Sequence, residues 1–341
     1  MSEEHYGNNI GMRLGKYTMA NNSADISLPD SGEFRKLSSI KKRKLSIEDL
    51  SAYYATQRQY DFQSGKEIKG IKFRKRIYPF FSMVLKIDQK MAKENIVILN
   101  DLSINTKKPK VFASTHCGGN DIQRVFQAIK TQAYLMLGDP GILYRDVIYQ
   151  GLRLNGVIPL DNDNMPDRKI AYQRSVELLR KGGNLLIFPE GAWNATPNLP
   201  VMKIFTGAVR MAMEAGAEIV PMAVEQYEKT IFINIGKNYT VPKDSPKTPA
   251  ELTYELRDSL ASLKWEIWEQ QPLVKRKDLP PNALQQFQQT ILGRCNYESG
   301  MNLESLNRER FHDKNITEPE EAFSYRNRLV PCMENAFLMR G

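Results

Sequence analysis

The sequence predicts an α/β fold: a mixed central β-sheet flanked by helices, with an N-terminal helical region and a C-terminal helical extension. Three observations lead there. Apolar runs of strand length recur between residue 110 and about residue 240, stretches of helical period alternate with them, and glycine or proline stands at many junctions. Strands alternating with helices pack as layers on one sheet.

The elements follow in chain order. Residues 1–45 are rich in Asn, Ser, Asp and Lys without hydrophobic period, and read as a polar, disordered segment. Ser46, with Asp49 three residues on, is a helix N-cap signal. From Ile77 to about Met91 the spacing is amphipathic, behind the basic run Lys72-Phe73-Arg74-Lys75-Arg76. Residues 46–104 therefore read as a helical region suited to a membrane interface. Val111 to Thr115 is a buried strand that leads through His116 and two glycines into a helix from Asp121 to about Thr131. Further strands are expected at Val157–Leu160, Leu185–Phe188, Ile219–Val224 and Ile231–Ile235, and helices at Arg168–Lys181 and Lys203–Ala215, the last closed by Gly216. These make an α/β core over 105–245. Helical pattern returns from Pro249 to Gln270, in a C-terminal extension over 246–341.

Composition narrows the function. Forty-eight Lys and Arg against 39 Asp and Glu give a net charge of +9, which favours an anionic membrane surface or an acidic carrier protein. Nucleic acid is not expected, because no binding motif accompanies the charge. Cys117, Cys295 and Cys332 are too few and too scattered for a disulfide framework or a zinc site, so no metal is expected. Met1 to Asn9 carries no secretory signal, and no run reaches the roughly 18–20 apolar residues that a span requires. The expectation is a cytoplasmic protein, peripheral at the inner face of a membrane.

The chemistry-bearing signal is His116-Cys117-Gly118-Gly119-Asn120-Asp121. An imidazole can take a hydroxyl proton near neutral pH, and a carboxylate on its other ring nitrogen fixes the tautomer. Five positions of regular helix would set the two side chains about 140° apart at ~3.6 residues per turn. The pair therefore requires His116 outside the helix and Asp121 in its first turn, with Gly118 and Gly119 making the bend. Alone, the same pattern also suits an Asp satisfying a helix dipole. Three more blocks follow: Gly156-Val157-Ile158-Pro159-Leu160-Asp161, Phe188-Pro189-Glu190-Gly191 and Val220-Pro221.

These four blocks, in this order and spacing, resemble the glycerolphosphate and lysophospholipid acyltransferases of the 1-acylglycerol-3-phosphate acyltransferase type, over roughly residues 105–240. The resemblance implies acyl-CoA or acyl-carrier protein as co-substrate, no cofactor and no metal, and a lipid acceptor. It implies His116 as base, Asp121 as its orienting partner, and Glu190 with Gly191 in acceptor binding. Backbone N–H groups at Gly118, Gly119 or Gly191 are candidates for the oxyanion. The chain departs from the family pattern at Asn162 and Trp193, where arginines commonly hold an acceptor phosphate. Arg153, Arg168 and Lys203 are nearby cations able to substitute. Three alternatives stay open: an acceptor without phosphate, such as a glycolipid, stacked on Trp193; a thioester hydrolase; and a non-catalytic, membrane-associated lipid-binding protein. A nucleophilic role for Cys117 is disfavoured, since a sequence neighbour is rarely oriented toward its His.

Overall fold

Among the described residues eight strands join into one mixed sheet, and its order explains how distant sequence blocks meet. The computed structural model describes residues 44–294, apart from 139–143, 145–146, 163, 197–198 and 273–275. The polar segment before residue 44, His5, His312, Cys295 and Cys332 lie outside the described residues.

In chain order the elements are α1 (Ile47–Gln63), α2 (Ile71–Ala92), β1 (Asn95–Asp101), β2 (Lys110–Ser114), α3 (Asp121–Ile129), β3 (Tyr134–Gly138), α4 (Val147–Asn155), β4 (Val157–Leu160), α5 (Met165–Arg180), β5 (Leu185–Ile187), α6 (Gly207–Ala215), β6 (Glu218–Tyr227), β7 (Thr230–Ile235), β8 (Tyr239–Thr240), α7 (Pro249–Glu269) and α8 (Ala283–Gly293). The strand order is β1-β7-β6-β2-β5-β3-β4, with β8 on β6. Strands β6, β2, β5, β3 and β4 are mutually parallel, whereas β7 runs antiparallel to β6 and carries β1 parallel to itself.

β2 lies in the middle and all five of its residues are buried. Its side chains alternate between two cores, as the strand period requires. Val111 and Ala113 face α5, α6 and α7, where Leu178, Leu179, Val209, Met211, Leu256 and Leu260 pack. Phe112 faces the other side, against Phe81 and Leu85 of α2 and Val125 and Phe126 of α3. The sheet is thus covered on both faces.

Several sequence expectations need adjusting. The sheet begins at Asn95, so its edge strand falls within the stretch read as wholly helical. That strand is mostly exposed, which blurs its apolar signature. Helix α2 starts at Ile71 and runs through Pro79, whose missing N–H leaves the Lys75 carbonyl without its usual donor. Helix α6 starts at Gly207 rather than Lys203, because the segment before it is drawn to Glu190 and Pro189 through the Met202 and Phe205 N–H groups. Gly216 does close α6 in the left-handed conformation (φ 66°). Thr248 and Glu251 form a capping box at the start of α7. The segment after α7, weakly patterned in sequence, contains α8.

A buried charge network fixes α3, the helix that carries Asp121, to the α2–β1 turn. Arg124 is fully buried; its guanidinium meets Glu94 at 2.6 Å and Asp88 at 2.8 Å. Glu94 also accepts from the Asn120 side chain at 2.8 Å, directly before Asp121. Removing one partner strands the other in a low-dielectric site. Arg124→Met is expected to destabilise the fold by roughly 3–5 kcal/mol in denaturant unfolding, and Arg124→Met with Glu94→Gln to recover part of that loss. Equal stability of Arg124→Met and the parent chain would refute this account.

Candidate active site

At the C-terminal end of β2 the chain passes through Thr115 and His116, bends, and enters α3. Gly118 and Gly119 both have left-handed φ, +83° and +67°. Two such residues in succession fold Asp121, the first residue of the helix, back onto His116. His116 Nδ1 lies 2.7 Å from Asp121 Oδ2. The same oxygen accepts the N–H groups of Cys117 at 2.8 Å and Gly118 at 3.0 Å. The Asp121 side chain is only 1% exposed, so these donors and the helix N-terminus replace its lost water.

A carboxylate only accepts, so the proton of this contact belongs on Nδ1, and Nε2 keeps its lone pair. The imidazole is 13% exposed. It lies against the Phe188 ring at 4.3 Å between centroids and meets Trp193 edge-on at 6.0 Å. This suits a base that is fixed in orientation and still reachable.

β5 runs beside β2 and brings Phe188-Pro189-Glu190-Gly191 to the same edge. Parallel α/β sheets place ligands at this C-terminal edge. Glu190 is 5% exposed; its oxygens accept the His116 N–H at 3.2 Å and the Met202 N–H at 2.8 Å. Burial pushes its carboxyl above the ordinary value, against the pull of the Met202 N–H, the Lys264 charge and the His116 N–H. With one N–H on each oxygen, Glu190 braces two loops. Gly191 has φ +69°, and a Cβ there would stand 2.6 Å from the exposed Phe205 ring.

The remaining sequence candidates divide. Lys203 is half-buried and follows Met202, whose N–H Glu190 accepts. Arg168 is exposed and donates to the Asn162 carbonyl at 2.6 Å, at the loop after β4. Arg153 sits in the last turn of α4 and reaches Gln150 at 3.4 Å. Among the described residues neither arginine is hydrogen-bonded to the His116 loop or to Glu190. The N–H of Gly118 is taken by Asp121, and that of Gly191 by the Phe188 carbonyl at 3.0 Å, which removes both as oxyanion donors in this geometry. Burial, with Asp121 and Glu225 close by, pushes the Cys117 thiol well above its ordinary value, opposite to what a nucleophilic thiolate needs. Among the described residues, no group of three or more His, Cys, Asp or Glu side chains is placed to hold a metal ion.

Comparison with known proteins adds independent information. Residues 95–225 match the protein family described as Acyltransferase. The chain is similar to the chloroplastic 1-acyl-sn-glycerol-3-phosphate acyltransferase LPAT1 of Arabidopsis thaliana, 28% identical over 148 residues, covering 43% of this chain and 37% of that protein. It is also similar to the 1-acyl-sn-glycerol-3-phosphate acyltransferase of Borreliella burgdorferi, 23% identical over 156 residues, 45% of this chain and 61% of that one. The matches thus span less than two thirds of either relative. Among solved structures, that of the 1-acyl-sn-glycerophosphate (LPA) acyltransferase PlsC from Thermotoga maritima aligns with a TM-score of 0.49 at 14% identity, over 67% of this chain and all of that one.

Sequence reasoning missed a layer of charge directly behind the loop. Lys264 of α7 is 2% exposed, pairs with Glu225 at 2.9 Å and donates to the Val224 carbonyl. Thr115 bonds the backbone of Val224 as well, donating to its carbonyl and accepting its N–H. A lysine inside an amphipathic helix reads from sequence as a solvent-facing residue, so no signal marked it. Burial opposes the charge on Glu225, yet the Lys264 ammonium outweighs it and holds the carboxyl below its ordinary value. The stabilisation from that shift is complete above the unfolded-state value, near ~4.3, and is lost as pH falls through the lower folded value. Lys264→Met should abolish this acid-side slope and leave the chain less stable at pH 7; unfolding midpoints between pH 3 and 7 measure both. A parallel pH profile in the two proteins would count against the pairing.

Proposed function

We propose that this chain is an acyltransferase that moves a fatty acyl group from acyl-CoA or acyl-carrier protein to a hydroxyl of a lysophospholipid or glycerol-phosphate-like acceptor. The observation that carries the reading is the 2.7 Å contact between His116 Nδ1 and Asp121 Oδ2, with Nε2 left as an acceptor at the C-terminal edge of the sheet. His116 Nε2 takes the acceptor's hydroxyl proton while the oxygen attacks the thioester carbon. Asp121 stabilises the imidazolium that results. The C–S bond then breaks, and the departing sulfur takes the proton from His116. The tetrahedral oxyanion needs donors, and of the earlier candidates Gly119 stays available for that role. The transfer is direct, with no acyl-enzyme on Cys117.

The candidate cations for an acceptor headgroup are Lys203, next in sequence to the Met202 that Glu190 holds, and Arg168, exposed at the Asn162 loop. Asn162 itself is packed on Gly138, where a Cβ would come within 2.6 Å of its side chain. An arginine fork reaching over Asn162 from the next helix offers a guanidinium near the position at which the family pattern has one. Trp193 favours a second reading, in which the acceptor presents a sugar or another flat group to the indole.

Helix α2 supports action at a lipid surface. Phe81 and Leu85 are buried on one side, whereas Phe73, Phe80, Val84, Ile87 and Met91 are exposed, Phe80 by 63% and Met91 by 80%. At ~100° per residue those five fall within about 60° of one another. Lys72, Lys86 and Lys90 flank that stripe. Apolar residues beside a basic flank suit an anionic interface, with the helix lying in the surface plane. No helix among the described residues is long and apolar enough to cross a membrane.

Two experiments test these readings. With labelled acyl-CoA and acyl-carrier protein offered to a panel of lysophospholipid and glycolipid acceptors, His116→Ala and Asp121→Asn should each lower turnover on the order of 10² to 10⁴-fold while the fold is kept. Full turnover by a folded His116→Ala protein would sink the mechanism, and free fatty acid released without acceptor dependence would make the chain a hydrolase. Phe80→Ser with Ile87→Ser should cut co-sedimentation with anionic vesicles at least about tenfold, since inserting each such side chain contributes roughly 1.5–3 kcal/mol. Undiminished vesicle binding would rule out α2 as the docking face.

A further inference from the structure

We propose that Arg294, the residue after α8, is a positioning residue for the His116 loop, so that the C-terminal extension completes the active site. The proposal rests on the acyltransferase reading for its kinetic consequence, while its geometric basis is independent.

The polar backbone groups of the loop are nearly all engaged. The His116 N–H goes to Glu190, and its carbonyl accepts the Asn194 N–H at 2.9 Å. The N–H groups of Cys117 and Gly118 go to Asp121. The Cys117 carbonyl is met from the C-terminal side, by Arg294 Nη1 at 3.4 Å. Nη2 of the same guanidinium donates to the Gln226 carbonyl at 2.7 Å, near the end of β6. One planar fork therefore ties the bend between His116 and Asp121 to the sheet. An ammonium, as a point charge, does not reproduce that two-pronged geometry.

The loop is also shaped to receive α8. A Cβ on Gly119 would stand 3.0 Å from Arg294 Cβ, and one on Gly118 would lie 3.0 Å from the Trp193 ring and 3.5 Å from Ile291. Ile291, Phe287 and Leu292 pack with Trp193 and Ala195 in a small apolar cluster. Trp193 in turn meets the His116 ring. The two glycines thus allow the bend and also admit the helix that holds it. Arg294 touches no reacting atom. Its contact with the Cys117 carbonyl restrains the peptide unit that itself presents the Gly118 N–H to Asp121 Oδ2, next to the one that presents the Cys117 N–H.

The test uses the full chain with Arg294→Met, Arg294→Lys and Arg294→Ala, and Phe287→Ala as a variant that loosens the same helix without touching the loop. For Arg294→Met, kcat should fall about tenfold, the effect of ~1.4 kcal/mol on the barrier, with the KM for acyl-CoA held within about twofold. Arg294→Lys should recover only part of kcat, and added methylguanidinium should raise that of Arg294→Ala. Hydrogen exchange supplies a readout that needs no turnover: the Cys117 and Gly118 amides should exchange faster in Arg294→Met than in Phe287→Ala. Unchanged kcat and exchange in a folded Arg294→Met protein overturn the proposal. So does an equal effect of Phe287→Ala on both, which would reduce Arg294 to a helix-packing residue. Absence of acyl transfer by the parent chain would remove the proposed function, and the exchange comparison would still decide whether Arg294 holds the loop.

Discussion

A single carboxylate oxygen, Oδ2 of Asp121, accepts from the imidazole of His116 and from the two peptide N–H groups that link them. Much of the local architecture can be traced to that convergence. Three donors can reach one oxygen only if the intervening chain curls tightly, which demands left-handed residues and hence the glycine pair. A buried anion can persist only with such donors and a helix N-terminus behind it. The bonded carboxylate also decides which imidazole nitrogen carries the proton, so the same contact sets both the shape of the loop and its acid–base character. The outer supports have a common target: Glu190 from the turn after β5, Asn194 from the following loop, and Arg294 from the C-terminal side each restrain a backbone group of this bend.

Much of the layered core was legible in the sequence because its signals are local. The β2, β4, β5, β6 and β7 runs are short and apolar, and the helices between them keep their period. β1 escaped because an exposed edge strand lacks a continuous apolar run, and β3 because Tyr134–Gly138 is brief and continues from a helix end. The dyad was legible since His116 and Asp121 are five residues apart with glycines between. What surrounds it was not. Lys264, Glu225 and Arg294 come from α7, β6 and the end of α8, and nothing local in α7 announces that one of its lysines faces inward. Buried charges of this kind are defined by tertiary contact alone.

Glu190 shows how a motif can be located correctly and still change meaning. Its place after an apolar strand identified the sheet edge. The carboxylate then spends its oxygens on the N–H groups of His116 and Met202, which couples the base to the loop that carries Lys203. Asn162 and Trp193 are likewise explained by packing, one against Gly138 and the other against Gly118.

The order in which the chain is synthesised gives these contacts a further meaning. His116 and Asp121 emerge early, yet the residues that shape their loop arrive much later: Glu190, Asn194 and Met202, then Val224 on β6, and finally Arg294. Such non-local pairings form slowly, because long loops must close before they are rewarded. A nascent chain released only as far as β5 would carry both members of the dyad without the outer restraints from Glu190, Asn194 and Arg294. The braces on the His116 loop are thereby complete only when the polypeptide extends through Arg294, the last of the residues that restrain it.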